Sequence, residues 1–243
     1  MVDVAMLTKQ GGRDHNEDYI RKATYEEQLC LILCDGLGGH ACGEIASELV
    51  TESIAKGFEK QGYYAGFFKD ALEQAQKELL EEQVRRDLCN SMKTTAVVLV
   101  ITPDLIQWAH IGDSRLYRIY ENGTKYQRTR DHSLVQILCD TGEIRESEIR
   151  THEDRNKLLR AMGARWGTKT YDISAVVERG ETQAFVLMTD GFWEYVYEEE
   201  MIAAYKEASS AQAWLDAMEK YVLKRADMTK TDNYSAIVVR VEE

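Results

Sequence analysis

The chain is predicted to take an α+β fold, with strands gathered into antiparallel sheets and helices kept apart from them. Three observations carry that expectation. Strand-like runs are clustered instead of alternating with helices. Two helical stretches follow one another with no strand between them, and a Glu121-Asn-Gly123 turn joins two strands of a central meander. At 243 residues, 44% apolar and 30% charged, the chain can bury a sizeable core. It is read as one domain over residues 1–243.

Taken in order, Val2 to Thr8, Asp18 to Ala23 and Leu29 to Cys34 read as strands. Ala41 to Phe58 places Ile45, Leu49 and Ile54 near helical spacing. Phe67 to Leu88, rich in Glu, Gln, Lys and Leu, continues as a second helix after the turn Gly62-Tyr-Tyr-Ala-Gly66. Thr94 to Ile101 is a β-branched run expected to be buried. Ile106 to Ile111, Ser114 to Tyr120 and Lys125 to Arg128 form the meander, entered through the turn Thr102-Pro-Asp-Leu105. Residues 131–163 turn polar and helical in short pieces. Asp172 to Val177 and Ala184 to Thr189 return to strand, Glu198 to Tyr205 and Ala211 to Ala226 to helix, and Asn233 to Val241 closes as a strand.

Composition narrows the function. A net charge of −12 argues against a nucleic-acid surface and favours divalent cations near the protein. No apolar run approaches the roughly 20 residues that cross a bilayer, and the N-terminus lacks a secretory signal. The end of the chain just after the last strand is read as leaving no membrane anchor or receptor domain. The five cysteines form no Cys-x-x-Cys pair and read as small buried hydrophobes of a reducing, cytoplasmic protein.

Chemistry enters through aspartates at the mouths of apolar runs: Asp18, Asp35, Asp113, Asp190 and Asp232. Carboxylates that converge in one cleft repel one another unless cations neutralise them, and hard ions such as Mg²⁺ or Mn²⁺ suit all-oxygen sites. Arg13, in the charge-dense Arg13-Asp-His-Asn-Glu-Asp18, offers a planar fork for two phosphate oxygens. Pairing of the strands at Asp18 and Asp35 would bring arginine and carboxylates together. Gly36-Leu-Gly38-Gly-His-Ala41 imitates a dinucleotide fingerprint, but Asp35 would repel a pyrophosphate and the βαβ context is missing. The glycines serve instead to expose a peptide carbonyl beside the Asp35 carboxylate.

Arg13-Asp-His-Asn-Glu-Asp18, Asp35-Gly-Leu-Gly-Gly-His40, Thr94-Thr-Ala-Val97, Gly112-Asp-Ser-Arg115, Asp131-His-Ser133, Arg155-Asn-Lys-Leu-Leu-Arg-Ala-Met-Gly163, Thr189-Asp-Gly191 and Asp232-Asn233 occur in one order along the chain. In that order and spacing the sequence resembles the PP2C-like (PPM) metal-dependent Ser/Thr protein phosphatases of compact bacterial type. The resemblance runs from about Met6 to Val241. It implies a four-layer αββα sandwich, two central antiparallel sheets flanked by helices, with a small helical flap over residues 131–163. It also implies two Mn²⁺ or Mg²⁺ ions, with Asp35 bridging them, the Gly36 carbonyl on one, and Asp190 and Asp232 completing the protein ligands. Glu17 and Asp18 would act in the outer shell, and Asp113 would help bind a third ion or, alternatively, form a turn or an ion pair with Arg115.

The implied reaction is hydrolysis of phosphoserine and phosphothreonine in proteins by a water activated between two metals, with Arg13 clamping the phosphate. The implied partners are phosphoprotein substrates, a Ser/Thr kinase and its targets among them, with the phosphatase itself a monomer. Cys30, Cys34 and Cys42 lack the Cys-x5-Arg nucleophile signature. Family members that carry Asp-Gly-His have a histidine where this chain has Leu37, so the leaving-group acid is left between His40, His152 and a metal-bound water. Further departures are Lys93 before Thr94, Thr189 before Asp190, and Glu153 after His152. Two other readings use the same fold: a catalytically silent phosphoprotein-binding module, and a hydrolase of small phosphomonoesters.

Overall fold

The computed structural model describes residues 1–37, 42–88, 91–120, 123–167, 170–179 and 183–242. In chain order its elements are β1 (Val2–Lys9), β2 (Asp18–Tyr25), β3 (Gln28–Leu37), α1 (Cys42–Gln61), α2 (Phe67–Arg85), β4 (Lys93–Thr94), β5 (Ala96–Ile101), β6 (Leu105–Ile111), β7 (Arg115–Tyr120) and β8 (Lys125–Arg128). There follow α3 (Leu134–Asp140), a 3-10 turn (Glu146–Thr151), β9 (Asp172–Ile173), β10 (Val177–Glu178), β11 (Gln183–Met188), α4 (Asp190–Trp193), α5 (Glu198–Glu207), α6 (Ala211–Arg225) and β12 (Tyr234–Val241).

Two antiparallel sheets result. One runs β1-β12-β11-β7-β8; the other runs β10-β6-β5-β3-β2, with β4 on β3 and β9 on β6. Alternate residues of each strand face opposite layers, so a strand buried on both sides reads as a continuous apolar run. In β3, Leu29, Leu31 and Leu33 enter the layer between the sheets, while Cys30, Ile32 and Cys34 pack on α1 and α2. In the other sheet, Phe185 and Leu187 of β11 and Ile237 and Val239 of β12 meet them across the middle layer. Ala184, Val186, Ala236 and Val238 turn outward onto Trp214, Leu215 and Met218 of α6. These three apolar layers hold the four-layer αββα arrangement together.

Several sequence expectations need correction. The run Asp172 to Val177 is two short pieces, β9 and β10, because the register against β6 slips by one residue between them, Ile173 pairing with Ala109 and Val177 with Ile106. The expected strand Thr94 to Ile101 breaks at Thr95, where the backbone turns to bond Asp35. Helix α4, at Asp190, was not foreseen in a run only four residues long. The turn at Glu121 and Asn122, together with Gly38 to Ala41 and therefore His40, lies outside the described residues.

Candidate active site

The period-2 logic that builds the core also builds the site. Each strand's inter-sheet row ends, at one end of the sandwich, in a polar residue two positions beyond the last apolar one. Ile20 gives way to Asp18, Leu33 to Asp35, Val97 to Thr95, Leu116 to Ser114, Leu187 to Thr189, Ile237 to Ser235 and Met6 to Thr8. Neighbouring strands run antiparallel, so these endings come alternately from strand starts and strand ends yet form one floor. Across it Thr189 Oγ1 donates to Asp18 Oδ2 at 2.9 Å, linking the two sheets, and Ser235 and Thr8 hydroxyls meet at 2.8 Å. The predicted side-by-side pairing of the first two carboxylates is present: Asp18 and Asp35 are register partners in β2 and β3.

Above this floor opens a cleft of about 580 Å³, lined by Arg13, Glu17, Asp35, Gly36, Asp113, Asp190 and Asp232, with Asn156 and Leu158 of the 131–163 segment at its rim. Thr95 fixes Asp35 on both sides of its peptide, its N–H donating to the Asp35 carbonyl (2.9 Å) and its hydroxyl accepting from the Asp35 N–H (3.0 Å). A side chain at Gly36 would collide with the carbonyls of Gly43 and Glu17, so glycine is required where β3 runs against α1. Asn233 staples the 10–17 loop in place. Its Nδ2 donates to the Gln10 and His15 carbonyls, and its Oδ1 accepts from the Glu17 N–H at 2.8 Å. Arg13, half-exposed, reaches Asp232 at 2.5 Å.

Crowded carboxylates in a desolvated cleft resist ionisation. Burial, then the charges of Asp18, Asp190, Asp113 and Asp232, hold the Asp35 carboxyl well above the usual carboxylate range. Burial, then Asp113 and Glu194, do the same to Asp190. Burial also lifts Asp18 to about 7, against hydrogen bonds from Ser235 and Thr189, and lifts Asp113 to about 7 with Asp131 adding to the effect. Asp18 Oδ1 is buried without a hydrogen-bond partner among the described residues. An all-oxygen donor set, mutual repulsion and an orphaned acceptor together fit hard divalent cations.

The profile of the Protein phosphatase 2C family matches residues 10–230. The chain belongs to that family. It is 31% identical to the serine/threonine phosphatase stp of Listeria welshimeri over 237 residues, covering 93% of this chain and 90% of that one. The crystal structure of the serine/threonine phosphatase Stp1 from Staphylococcus aureus superposes with a TM-score of 0.89 at 27% identity, over 100% of this chain and 96% of that one. The catalytic domain of the phosphatase PstP, solved in complex with two manganese ions, shares the fold at 22% identity, with a TM-score of 0.82 and 99% of each chain covered.

Arg13, Glu17, Asp35, Gly36, Asp113, Asp190 and Asp232 therefore meet in one cleft, and Asp18 lies in its floor. The alternative partner weighed for Asp113 is not used: Arg115 pairs with Asp131, Nε to Oδ1 at 2.9 Å and Nη2 to Oδ2 at 2.7 Å. His152 does not line the cleft; its Nδ1 accepts from the Asp154 N–H. His15 does line it, although the sequence singled out its neighbours instead. Asn233 and Thr95 were missed as positioning residues, since a backbone staple leaves no spacing signal.

A second group of possible ligands, His110, His132 and Asp172, lies at the inter-sheet end of β6. The two imidazoles are stacked, with centroids 4.6 Å apart and planes 18° from parallel. Lone pairs lie in the ring planes, so these two do not converge on one ion. His132 Nδ1 accepts from the Gly112 N–H and its Nε2 faces Asp172 at 3.1 Å, while His110 Nε2 donates to the Arg130 carbonyl. The pair is structural. Burial and His110 push His132 down to about 4. A histidine that stays neutral in the fold loses stability as pH falls from the unfolded value near 6.5 through the folded one. Between pH 6.5 and 4.5 the wild-type protein should lose more thermal stability than a His132→Asn variant. Parallel melting curves would remove the assignment.

Proposed function

We propose that this chain hydrolyses phosphoserine and phosphothreonine in proteins, using divalent cations held by Asp35, the Gly36 carbonyl, Asp190 and Asp232. Asp113 serves a third cation position, and Glu17 and Asp18 act from the outer shell. The observation that carries the reading is the convergence of these carboxylates, from both sheets, on a cleft that Arg13 also lines. Bound cations would offset the carboxylate charge, bring solvent toward hydroxide at neutral pH and polarise the phosphoryl oxygens.

The chain's own residues do the rest. Arg13 presents a planar guanidinium on an exposed loop that Asn233 and Gln10 brace, so its fork is positioned for the phosphoryl oxygens as charge develops on them. Thr95 holds the Asp35 backbone rigid, and Thr189 orients Asp18. His15 stands at the cleft as a donor for the departing serine or threonine oxygen. Residues 131–163 form the wall past which a phosphopeptide approaches, and Arg155 anchors that wall to Glu194 at 2.5 Å. The whole chain acts as one phosphatase domain and as a monomer, opposing a Ser/Thr kinase. Among the described residues no helix is long and apolar enough to cross a membrane.

The direct test is release of phosphate from a phosphothreonine peptide with Mn²⁺ and with EDTA. Equal rates would refute the reading. Faster turnover of nucleotides than of phosphopeptides would favour small phosphomonoesters instead. Arg13→Ala should lower kcat/KM on the peptide about 100-fold at saturating Mn²⁺, a loss that weaker Mn²⁺ binding through its partner Asp232 would not produce under that condition. A loss confined to Mn²⁺ affinity would move Arg13 out of the phosphate-binding role.

A further inference from the structure

We propose that Trp193 is a positioning residue for the Asp113 carboxylate, and that Arg115 and Asp131 make this position depend on the 131–163 segment. The inference rests on the assignment of Asp113 to a cation position. Trp193 is 2% exposed, and its Nε1–H donates to the main-chain carbonyl of Asp113 at 3.0 Å. It lies on α4, the short helix that begins with Asp190. One rigid turn thus carries a proposed ligand and also grips the peptide of the residue facing it.

The peptide gripped is one that needs holding. Gly112 precedes it with φ at +105°, a conformation open to glycine but strained for other residues, and a Cβ there would press on Thr95. Rotation of the peptide plane between Asp113 and Ser114 would swing the neighbouring carboxylate. The segment 112–114 is held from three directions. Trp193 takes the carbonyl of Asp113. The hydroxyl of Ser114 meets that of Thr95 at 2.7 Å, and Thr95 in turn holds Asp35. The His132 N–H donates to the Gly112 carbonyl at 2.8 Å.

The indole is itself set from behind. The Arg115 guanidinium, 2% exposed, lies 3.5 Å from the ring centroid and is held in a two-point pair with Asp131 at the root of the 131–163 segment. Phe192, next in the chain and equally buried, fills core without any polar contact, so packing alone does not call for the indole N–H at this position. A shift of the segment at Asp131 therefore moves Arg115, then the indole, then the Asp113 peptide.

Trp193→Phe keeps a ring for Arg115 and removes the donor together with part of the indole's volume. The weakest Mn²⁺ site seen by calorimetry should lose about tenfold in affinity, the size usual when a group that orients a ligand is removed. The Mn²⁺ concentration for half-maximal hydrolysis of a phosphothreonine peptide should rise in parallel, with peptide KM at saturating Mn²⁺ within about twofold. In an Asp113→Ala background the same substitution should add nothing to either readout. If Asp113→Ala perturbs the Mn²⁺ titration and Trp193→Phe leaves it superimposable on wild type, whatever its melting temperature, the positioning role is wrong while the cation assignment stands. An unchanged titration in Asp113→Ala removes both. Should Trp193→Phe not fold, Asp131→Asn, which keeps shape and loses charge, must shift the titration in the same direction.

Discussion

Asp35→Asn should leave a folded protein that no longer turns over a phosphothreonine peptide, with kcat lower by about 1,000-fold or more, the several kcal/mol that bridging cations supply. The same change should make the metal-free protein more stable at pH 7.5. Asp35 sits among Asp18, Asp190, Asp113 and Asp232, and their repulsion is what raises its pKa beyond the effect of burial. An amide there removes one member of the crowd while keeping its shape. For a chain of this length each kcal/mol gained shifts the melting temperature by about 2–4 °C. Stabilisation of the apo form with loss of activity separates a ligand from a structural residue, because a structural aspartate would cost stability when replaced. An Asn variant that retains a tenth of wild-type activity, or that Mn²⁺ stabilises as strongly as it does the parent, would overturn the assignment.

Metal and pH should act on stability in linked and opposite ways. Asp18 and Asp113 are raised to about 7, and Asp35 and Asp190 stand well above the ordinary range. A carboxyl whose folded pKa exceeds its unfolded value near 3.9 gives stability that is fully present below that value and lost as pH rises through the folded one. From pH 6.5 upward the buried histidines release at most about half a proton each in the unfolded state, so the four carboxylates decide the sign. The metal-free protein should therefore melt several degrees lower at pH 8 than at pH 6.5. Saturating Mn²⁺, at about 100 times its dissociation constant, contributes about 2.7 kcal/mol and should raise the melting temperature by about 5–11 °C. The rise should be larger at pH 8 than at pH 6.5, because protons compete for the same oxygens. A Mn²⁺ effect independent of pH would mean that these carboxylates are not the ligands.

Much of this was legible in the residues. Strand β3 could be read because both its faces are buried, which makes Leu29 to Cys34 uniformly apolar. The carboxylates could be read because each interrupts such a run where the core ends. Their meeting in one cleft was expected from the resemblance, and strand pairing brought Asp18 beside Asp35. The edge strands β9 and β10 were misjudged as one, since an edge can bend where a central strand cannot. His15 escaped notice because nothing in its sequence surroundings distinguishes a cleft wall from a solvated loop.

Residue order alone dictates which side chains are apolar on alternate positions, and so where each strand stops being core and begins to be site. Packing of the layers sets which strand ends share a floor, that Asn233 braces the Arg13 loop, and that Arg115 answers to Asp131 and Trp193 instead of Asp113. Periodicity is a local property, carried by bonds along one strand. Partnership between Trp193 and Asp113, eighty residues apart, depends on how the layers pack, and no local pattern encodes it.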